Sequence, residues 1–390
     1  MKQVMPSGPI YLDYAATSPV DEQVAAQMMA CLTATGTFAN PASRSHVYGW
    51  QAEEKVEAAR GQLAQLLCCD PREIVWTSGA TESNNLALKG VFEPLAYKGH
   101  LITSAIEHKA VLDPVIWLEQ QGVEVTRLQP NAQGLIKAEQ VQQAIRPDTK
   151  LVSLMWINNE TGVINPLAEI VDVCRANSVL LHTDAAQAVG KIVTDLSQLN
   201  VDLLSLSGHK FYGPKGVGAL FVRRSAQSEI AIQMHGGGQE RGLRSGTLPT
   251  HQLVGIGAAA QFCQSNLAQE PLSVAVLRDR LWQGLADLPG VRRNGDPEHV
   301  GPNHLNVCFA GVEGETLLLS LREIAVSSGS ACASASMSPS YVLKAMGLSE
   351  ADAHSSIRMS LGCYTTAADI DRAIAHIRDV VTKLQSLNNG

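Results

Sequence analysis

Lys210 closes the run Ser205-Leu206-Ser207-Gly208-His209-Lys210 and leads into the turn-rich Phe211-Tyr212-Gly213-Pro214-Lys215-Gly216. An apolar stretch, Asp202 to Leu206, delivers the chain into small and polar residues, so this lysine sits at a turn and not on a solvated helix face. A lysine partly withdrawn from water has a lowered pKa and can act as an amine nucleophile that forms a Schiff base. Upstream, His182-Thr183-Asp184-Ala185-Ala186-Gln187 places a carboxylate at the end of a second apolar stretch, Val179 to Leu181. Most lysines are surface lysines. A Schiff-base lysine with an acidic partner for a pyridinium nitrogen, however, is the pairing that pyridoxal phosphate chemistry requires.

Two further strand ends supply what such a cofactor would need. Thr77-Ser78-Gly79-Ala80-Thr81-Glu82-Ser83-Asn84 is a Gly/Ser/Thr turn opening a helix, and N–H groups at a helix N-terminus, aided by hydroxyls, suit a phosphate. The plainer reading makes Ser78 or Thr81 an N-cap with Glu82 in the first turn. Ser207 and His209 can add phosphate contacts beside Lys210. In Glu107-His108-Lys109 the histidine can stack on a pyridine ring and move protons near neutral pH, or can be a partly exposed loop residue.

The run Ser327-Ser328-Gly329-Ser330-Ala331-Cys332-Ala333-Ser334-Ala335-Ser336 surrounds one cysteine with small residues. Such a run cannot pack a core, which predicts a flexible loop with an accessible thiol. The chain has 8 cysteines, with no CxxC pair or short metal-ligand spacing, so neither a disulfide framework nor a metal site is expected. Cys31, Cys174, Cys263 and Cys308 read as small buried hydrophobes. Cys68 and Cys69 are adjacent, which would strain a mutual disulfide.

The elements that must position these residues alternate short apolar runs with amphipathic segments. Strands are predicted at Ile74 to Thr77, His100 to Thr103, Glu124 to Leu128, Leu151 to Trp156, Val179 to Leu181, Leu203 to Leu206 and Ala219 to Val222. Helices are predicted at Glu82 to Gly90, Lys109 to Gln121, Ala138 to Ile145 and Leu167 to Ala176. This is the pattern of a large, doubly wound, mostly parallel α/β sheet, which binds ligands outside the carboxyl ends of its strands. Beyond the Gly/Arg-rich loop from Gly236 to Gly246 come two long helical patterns, Leu253 to Ser265 and Leu272 to Leu288. A smaller α+β set follows, with strands near Leu305 to Phe309 and Ile357 to Ser360 and helices near Glu315 to Arg322 and Ala367 to Leu387. The expected division is a large cofactor-binding domain over 17–262, and a small domain of 1–16 with 263–390 that carries the Cys332 loop. At 390 residues the chain is too long for one simple core, and a net charge of -7 without basic clusters argues against nucleic-acid binding. Met1 to Ile10 has one lysine and no long apolar stretch, so no secretory signal or membrane anchor is expected and the expected location is cytoplasmic.

Together with Tyr11-Leu12-Asp13-Tyr14-Ala15-Ala16-Thr17 and Asn158-Asn159-Glu160, these motifs resemble the cysteine desulfurases, most closely the IscS-type, iron-sulfur-cluster class, from about Ile10 to Leu387. The resemblance implies fold type I of the pyridoxal phosphate enzymes, a class V aminotransferase-like architecture and a homodimer. It implies that Lys210 forms the Schiff base with the cofactor, Asp184 pairs with the ring nitrogen, Gln187 bonds the phenolic oxygen and His108 stacks on the ring. Ala80, Thr81, Ser207 and His209 would hold the phosphate, with the partner subunit's Thr247, in Arg244-Ser245-Gly246-Thr247, reaching in. Asn159 and Arg358 would fix the carboxylate of L-cysteine.

In this family the cysteine matching Cys332 is the nucleophile. The implied reaction converts L-cysteine to L-alanine, passing sulfur to Cys332 as a persulfide and then to an acceptor protein for iron-sulfur cluster assembly or tRNA thiolation. Lys210 would take the α-proton, and His108 is the candidate acceptor for the thiol proton. Two rivals stand beside this reading: a selenocysteine lyase or other class V enzyme that does not need the thiol, and a non-catalytic sulfur-relay scaffold. Cys363 stands where close relatives carry arginine. The sequence closes at Leu387-Asn388-Asn389-Gly390, whereas close relatives continue into a segment that docks the scaffold protein. The acceptor is therefore left between that scaffold and another sulfur-relay protein.

Overall fold

The structure, a computed structural model, describes residues 8–328 and 339–388. A short strand, β1 (Ile10–Tyr11), precedes the main sheet of β2 (Ile74–Thr77), β3 (His100–Ser104), β4 (Glu124–Leu128), β5 (Thr149–Ser153), β6 (Leu180–Asp184), β7 (Leu203–Ser207) and β8 (Gly218–Val222). Its order is β2-β8-β7-β6-β5-β3-β4, and only β8 runs against its neighbours. Strands such as Ile74-Val75-Trp76-Thr77 and Leu203-Leu204-Ser205-Leu206-Ser207 are buried at every position. They therefore read as continuous apolar runs, as expected where helices cover both faces.

Two strands, β5 and β6, end three residues from their expected ends, and the others differ by one residue at most. The run predicted to Trp156 ends at Ser153, because the Met155 N–H leaves the ladder to bond both carboxylate oxygens of Glu107 at 3.0 Å. Its neighbour β6, in contrast, runs on to Asp184, where its ladder with β7 pairs Asp184 with Ser205 and Asp184 O accepts the Trp156 N–H at 3.0 Å; within it His182 bridges Ser153 Oγ at 2.8 Å and Ser205 Oγ at 3.0 Å across three strands. Burial holds the His182 ring neutral, with its pKa lowered to about 4. Among the later helices, the segment predicted to Leu288 ends at Gln283, where a Cβ on Gly284 would stand 2.6 Å from Ile374.

The second half of the chain adds β9 (Val291–Asn294), β10 (His304–Phe309), β11 (Ile324–Ala325), β12 (Ser327–Ser328) and β13 (Ser356–Ser360). β12-β13-β10-β9 form an antiparallel sheet. Its core joins Leu305, Val307 and Ile357 to Ile370, Ile377 and Val381 of the helix Ala367–Asn388. The N-terminal segment links this core to the largest apolar core of the main sheet: β1 pairs with β11, Leu12 packs in the former and Tyr14 in the latter. This route carries the carbonyls of Ala15 and Ala16 to Lys210 Nζ, which donates to them at 2.7 and 2.9 Å.

The loop after β8 is fastened from beneath. Arg60 and Glu240, both fully enclosed, form a two-pronged pair with both N···O distances 2.8 Å. Glu240 also accepts the Trp76 N–H at 2.8 Å, and the Arg60 guanidinium stands 5.3 Å from the Trp76 ring. Among the described residues no helix is long and apolar enough to cross a membrane.

Candidate active site

The carboxyl ends of β2, β3, β5, β6 and β7 open on one cavity of about 530 Å³. Its lining contains Ala80, Thr81, His108, Asn159, Asp184, Gln187, Ser207, His209, Lys210 and Arg358. Ten of the twelve residues expected from sequence therefore share one space. Thr247 is exposed and stands outside this lining. Cys332 lies outside the described residues, as does most of the small-residue run around it.

Each wall has a local cause. After β2 the chain turns at Gly79, whose φ of 151° favours glycine, and enters the helix Ala80–Phe92 with no side-chain cap. Neither Ser78 nor Thr81 caps it, although Glu82 stands in its first turn as the plainer reading expected. The first N–H groups of the helix are left for an external acceptor. Asp184 closes the opposite side: Oδ2 accepts from Asn84 Nδ2 at 2.8 Å and Oδ1 from the Ala186 N–H at 3.0 Å. Gln187 donates from Nε2 to Ala15 O at 2.8 Å and accepts from Lys191 Nζ at 2.6 Å. Enclosure, with Lys210 and Arg358 nearby, lowers the Lys191 amine to about 7.

His108 caps the helix Lys109–Gln121, with Nδ1 accepting the Ala110 N–H at 3.1 Å. That bond puts the proton of the neutral ring on Nε2, so accepting a second proton costs the cap. Below it, burial pushes the Glu107 carboxyl up to about 8 despite bonds from Ser104 and Met155. Burial, then the positive charges of Lys210 and Lys215, lowers His209 to about 4. His209 is therefore a neutral donor or acceptor at physiological pH, held to Thr17 Oγ1 at 3.1 Å.

At the far end, Arg358 on β13 donates from Nη1 to Asn159 O at 3.0 Å and from Nη2 to Asp13 Oδ1 at 2.8 Å. Asp13 in turn accepts Ser327 Oγ at 2.9 Å. Arg358 Nε and Asn159 Oδ1 are buried without a partner among the described residues. Sequence reading missed Asn84, Asp13, Glu160 and Tyr341. Tyr341 lines the cavity and donates to Glu107 O at 2.6 Å, while Ser340 bonds the buried Glu160 carboxylate. Asn84, Asp13 and Glu160 belong to the 77–84, 11–17 and 158–160 motifs but received no role there; Tyr341 carried no local signal.

Residues 10–373 match the family model for aminotransferase class-V. The chain is 58% identical over 381 residues to the cysteine desulfurase IscS of Aeromonas salmonicida (strain A449), covering 97% of this chain and 94% of that protein. The chain belongs to the cysteine desulfurases of the class-V aminotransferase family. Among solved structures, a NifS-like protein superposes with a TM-score of 0.89 at 37% identity, covering 96% of this chain and 100% of that one. SspA in complex with cysteine superposes with a TM-score of 0.81 at 42% identity, covering 92% and 100%. The desulfurase is thus a pyridoxal phosphate enzyme.

The site fits that cofactor on its own geometry. An uncapped helix N-terminus is built for a phosphate, a buried carboxylate is held by Asn84 for a ring nitrogen, and a lysine amine opens on the space between them. Arg358 Nε and Asn159 Oδ1, which have no partner among the described residues, belong to side chains that line the same cavity. Among the described residues no group of three or more His, Cys, Asp or Glu side chains is arranged to hold a metal ion. Cys363, which does not line this cavity, is half-buried. Burial and then the Glu270 carboxylate push its thiol up to about 12, and its N–H donates to Tyr212 Oη at 2.9 Å.

Proposed function

We propose that this desulfurase acts as a homodimer in the cytoplasm, takes L-cysteine as substrate, and passes its sulfur through Cys332 to an acceptor protein. The observation that carries this reading is the meeting of Lys210, Asp184, the uncapped 79–81 turn and Arg358 around one cavity. When bound, pyridoxal phosphate supplies an electron sink that accepts negative charge from the substrate Cα and so loosens the bond from Cβ to sulfur.

The chain's own groups do the rest. Ala80, Thr81, Ser207 and His209, with the partner subunit's Thr247, hold the phosphate. Asp184 would pair with the ring nitrogen and favour its protonated form, Gln187 would donate to the phenolic oxygen, and His108 would stand against the ring. Arg358 and Asn159 clasp the substrate carboxylate, which fixes the Cα–H toward Lys210. Lys210 Nζ, set by the Ala15 and Ala16 carbonyls, removes that proton. The Cys332 thiolate then attacks the substrate sulfur; an S–S bond forms as the bond from sulfur to Cβ breaks, and the three-carbon remainder takes up protons to leave as L-alanine.

Arg358→Lys tests the substrate end. The variant keeps the positive charge but loses the two-pronged donor, so KM for L-cysteine is expected to rise about tenfold while the bound cofactor keeps its absorbance. An unchanged KM in steady-state assays would remove Arg358 from the carboxylate site.

A further inference from the structure

Glu82 is an unexpected neighbour for a phosphate. It lines the cavity, and its carboxylate arches back over the N-terminus of its own helix to accept the Ser78 N–H at 2.6 Å. A first-turn glutamate is by itself ordinary helix chemistry. Here, however, the same helix end lacks any side-chain cap and faces the anion-binding wall, so a bare carboxylate would compete with the cofactor's phosphate for the same positive potential.

Arg244 stands behind that carboxylate, outside the cavity lining. Its Nε donates to Glu82 Oε1 at 2.7 Å and its Nη2 to Oε2 at 3.2 Å. Both side chains are largely enclosed, at 17% exposure for Glu82 and 14% for Arg244, which weakens solvent screening of the pair. Burial alone would raise the Glu82 carboxyl, yet the Arg244 and Ser78 bonds hold it below the usual range. Glu82 is thus ionised, shapes the turn through Ser78, and needs a counter-charge. Arg244 is held in register by its loop, which the Arg60–Glu240 pair anchors at one end and the Gly246 N–H to Gln239 Oε1 bond, at 2.8 Å, at the other.

We propose that Arg244 is a positioning residue for the cofactor phosphate, cancelling the Glu82 carboxylate so that the turn it shapes can accept a second anion. This inference rests on the phosphate seat described above, and the experiment separates the two. Apo-protein is titrated with pyridoxal phosphate by absorbance, at low and high salt, for the parent chain, Arg244→Gln, Arg244→Lys and the double variant Glu82→Gln/Arg244→Gln. Ser207→Ala serves as the control on the seat, and melting of each apo form checks folding.

Arg244→Gln is expected to weaken cofactor binding about tenfold at low salt, and less at high salt, because it leaves a bare carboxylate at the seat. Arg244→Lys, which keeps the charge, and the double variant, which removes both charges, are expected to bind within about threefold of the parent. A merely structural clasp predicts the reverse, with the double variant no better than Arg244→Gln. That result, or full affinity in Arg244→Gln, would overturn the inference. Unchanged affinity in Ser207→Ala would instead overturn the seat on which it rests.

Discussion

Lys210→Ala is expected to lower turnover of L-cysteine by about 10³-fold and to abolish the visible absorbance shown by the cofactor when joined to a lysine. Two roles fall together in this variant. In the proposed mechanism the amine that fastens the cofactor is also the group that moves the α-proton. Lys109 and Lys215 also line the cavity, and Lys191, whose amine enclosure lowers to about 7, donates from Nζ to Gln187 Oε1 at 2.6 Å. The Ala15 and Ala16 carbonyls that set Lys210 remain in the variant, so its fold should survive. Spectra and single-turnover alanine formation check this; turnover within tenfold of the parent would exclude Lys210 as the proton-moving amine.

Glu240→Ala should have the largest effect on stability, a loss of about 3–5 kcal/mol. Removing this carboxylate leaves the Trp76 N–H without its acceptor and the enclosed Arg60 guanidinium with only the exposed Glu57 carboxylate, 3.1 Å from Nε, and Ile74 O, 2.9 Å from Nη1. A buried charge stripped of its partner costs far more than an exposed pair contributes. Glu240→Gln, which keeps one acceptor oxygen, should lose less. The damage also reaches the site, because Arg244, the residue that faces Glu82, belongs to the same loop. Urea unfolding of apo-protein measures both variants, and a loss below about 1 kcal/mol in Glu240→Ala would mean that the pair is solvated in solution.

Much of this site could be read from sequence because of how the strands end. The runs at 74–77, 180–184 and 203–207 pass from apolar residues into Gly, Ser, Thr, His, Asp or Lys at the point where they leave the sheet. A parallel sheet brings those ends to one edge. Lys210, Asp184 and the 78–82 turn were therefore legible before any coordinate. The supports were not, because they join residues far apart in the chain. Asp13 meets Arg358 and Asn84 meets Asp184 only once the two cores are assembled. The end of β5 was misplaced for the same reason: Leu154-Met155-Trp156 has the composition of a strand, but a carboxylate from another loop takes its central N–H. The small-residue run around Cys332 carries its expectation of an accessible thiol in composition, and it lies outside the described residues.

Purified enzyme supplied with L-cysteine and a thiol reductant tests the sulfur-transfer chemistry most directly, by measuring sulfide and alanine for the parent chain and for Cys332→Ala. The expected result is equal release of both products by the parent, and loss of both in Cys332→Ala while the cofactor absorbance is retained. Unchanged turnover in Cys332→Ala would contradict transfer through that thiol, and the absence of both products from the parent would contradict the desulfurase reaction itself.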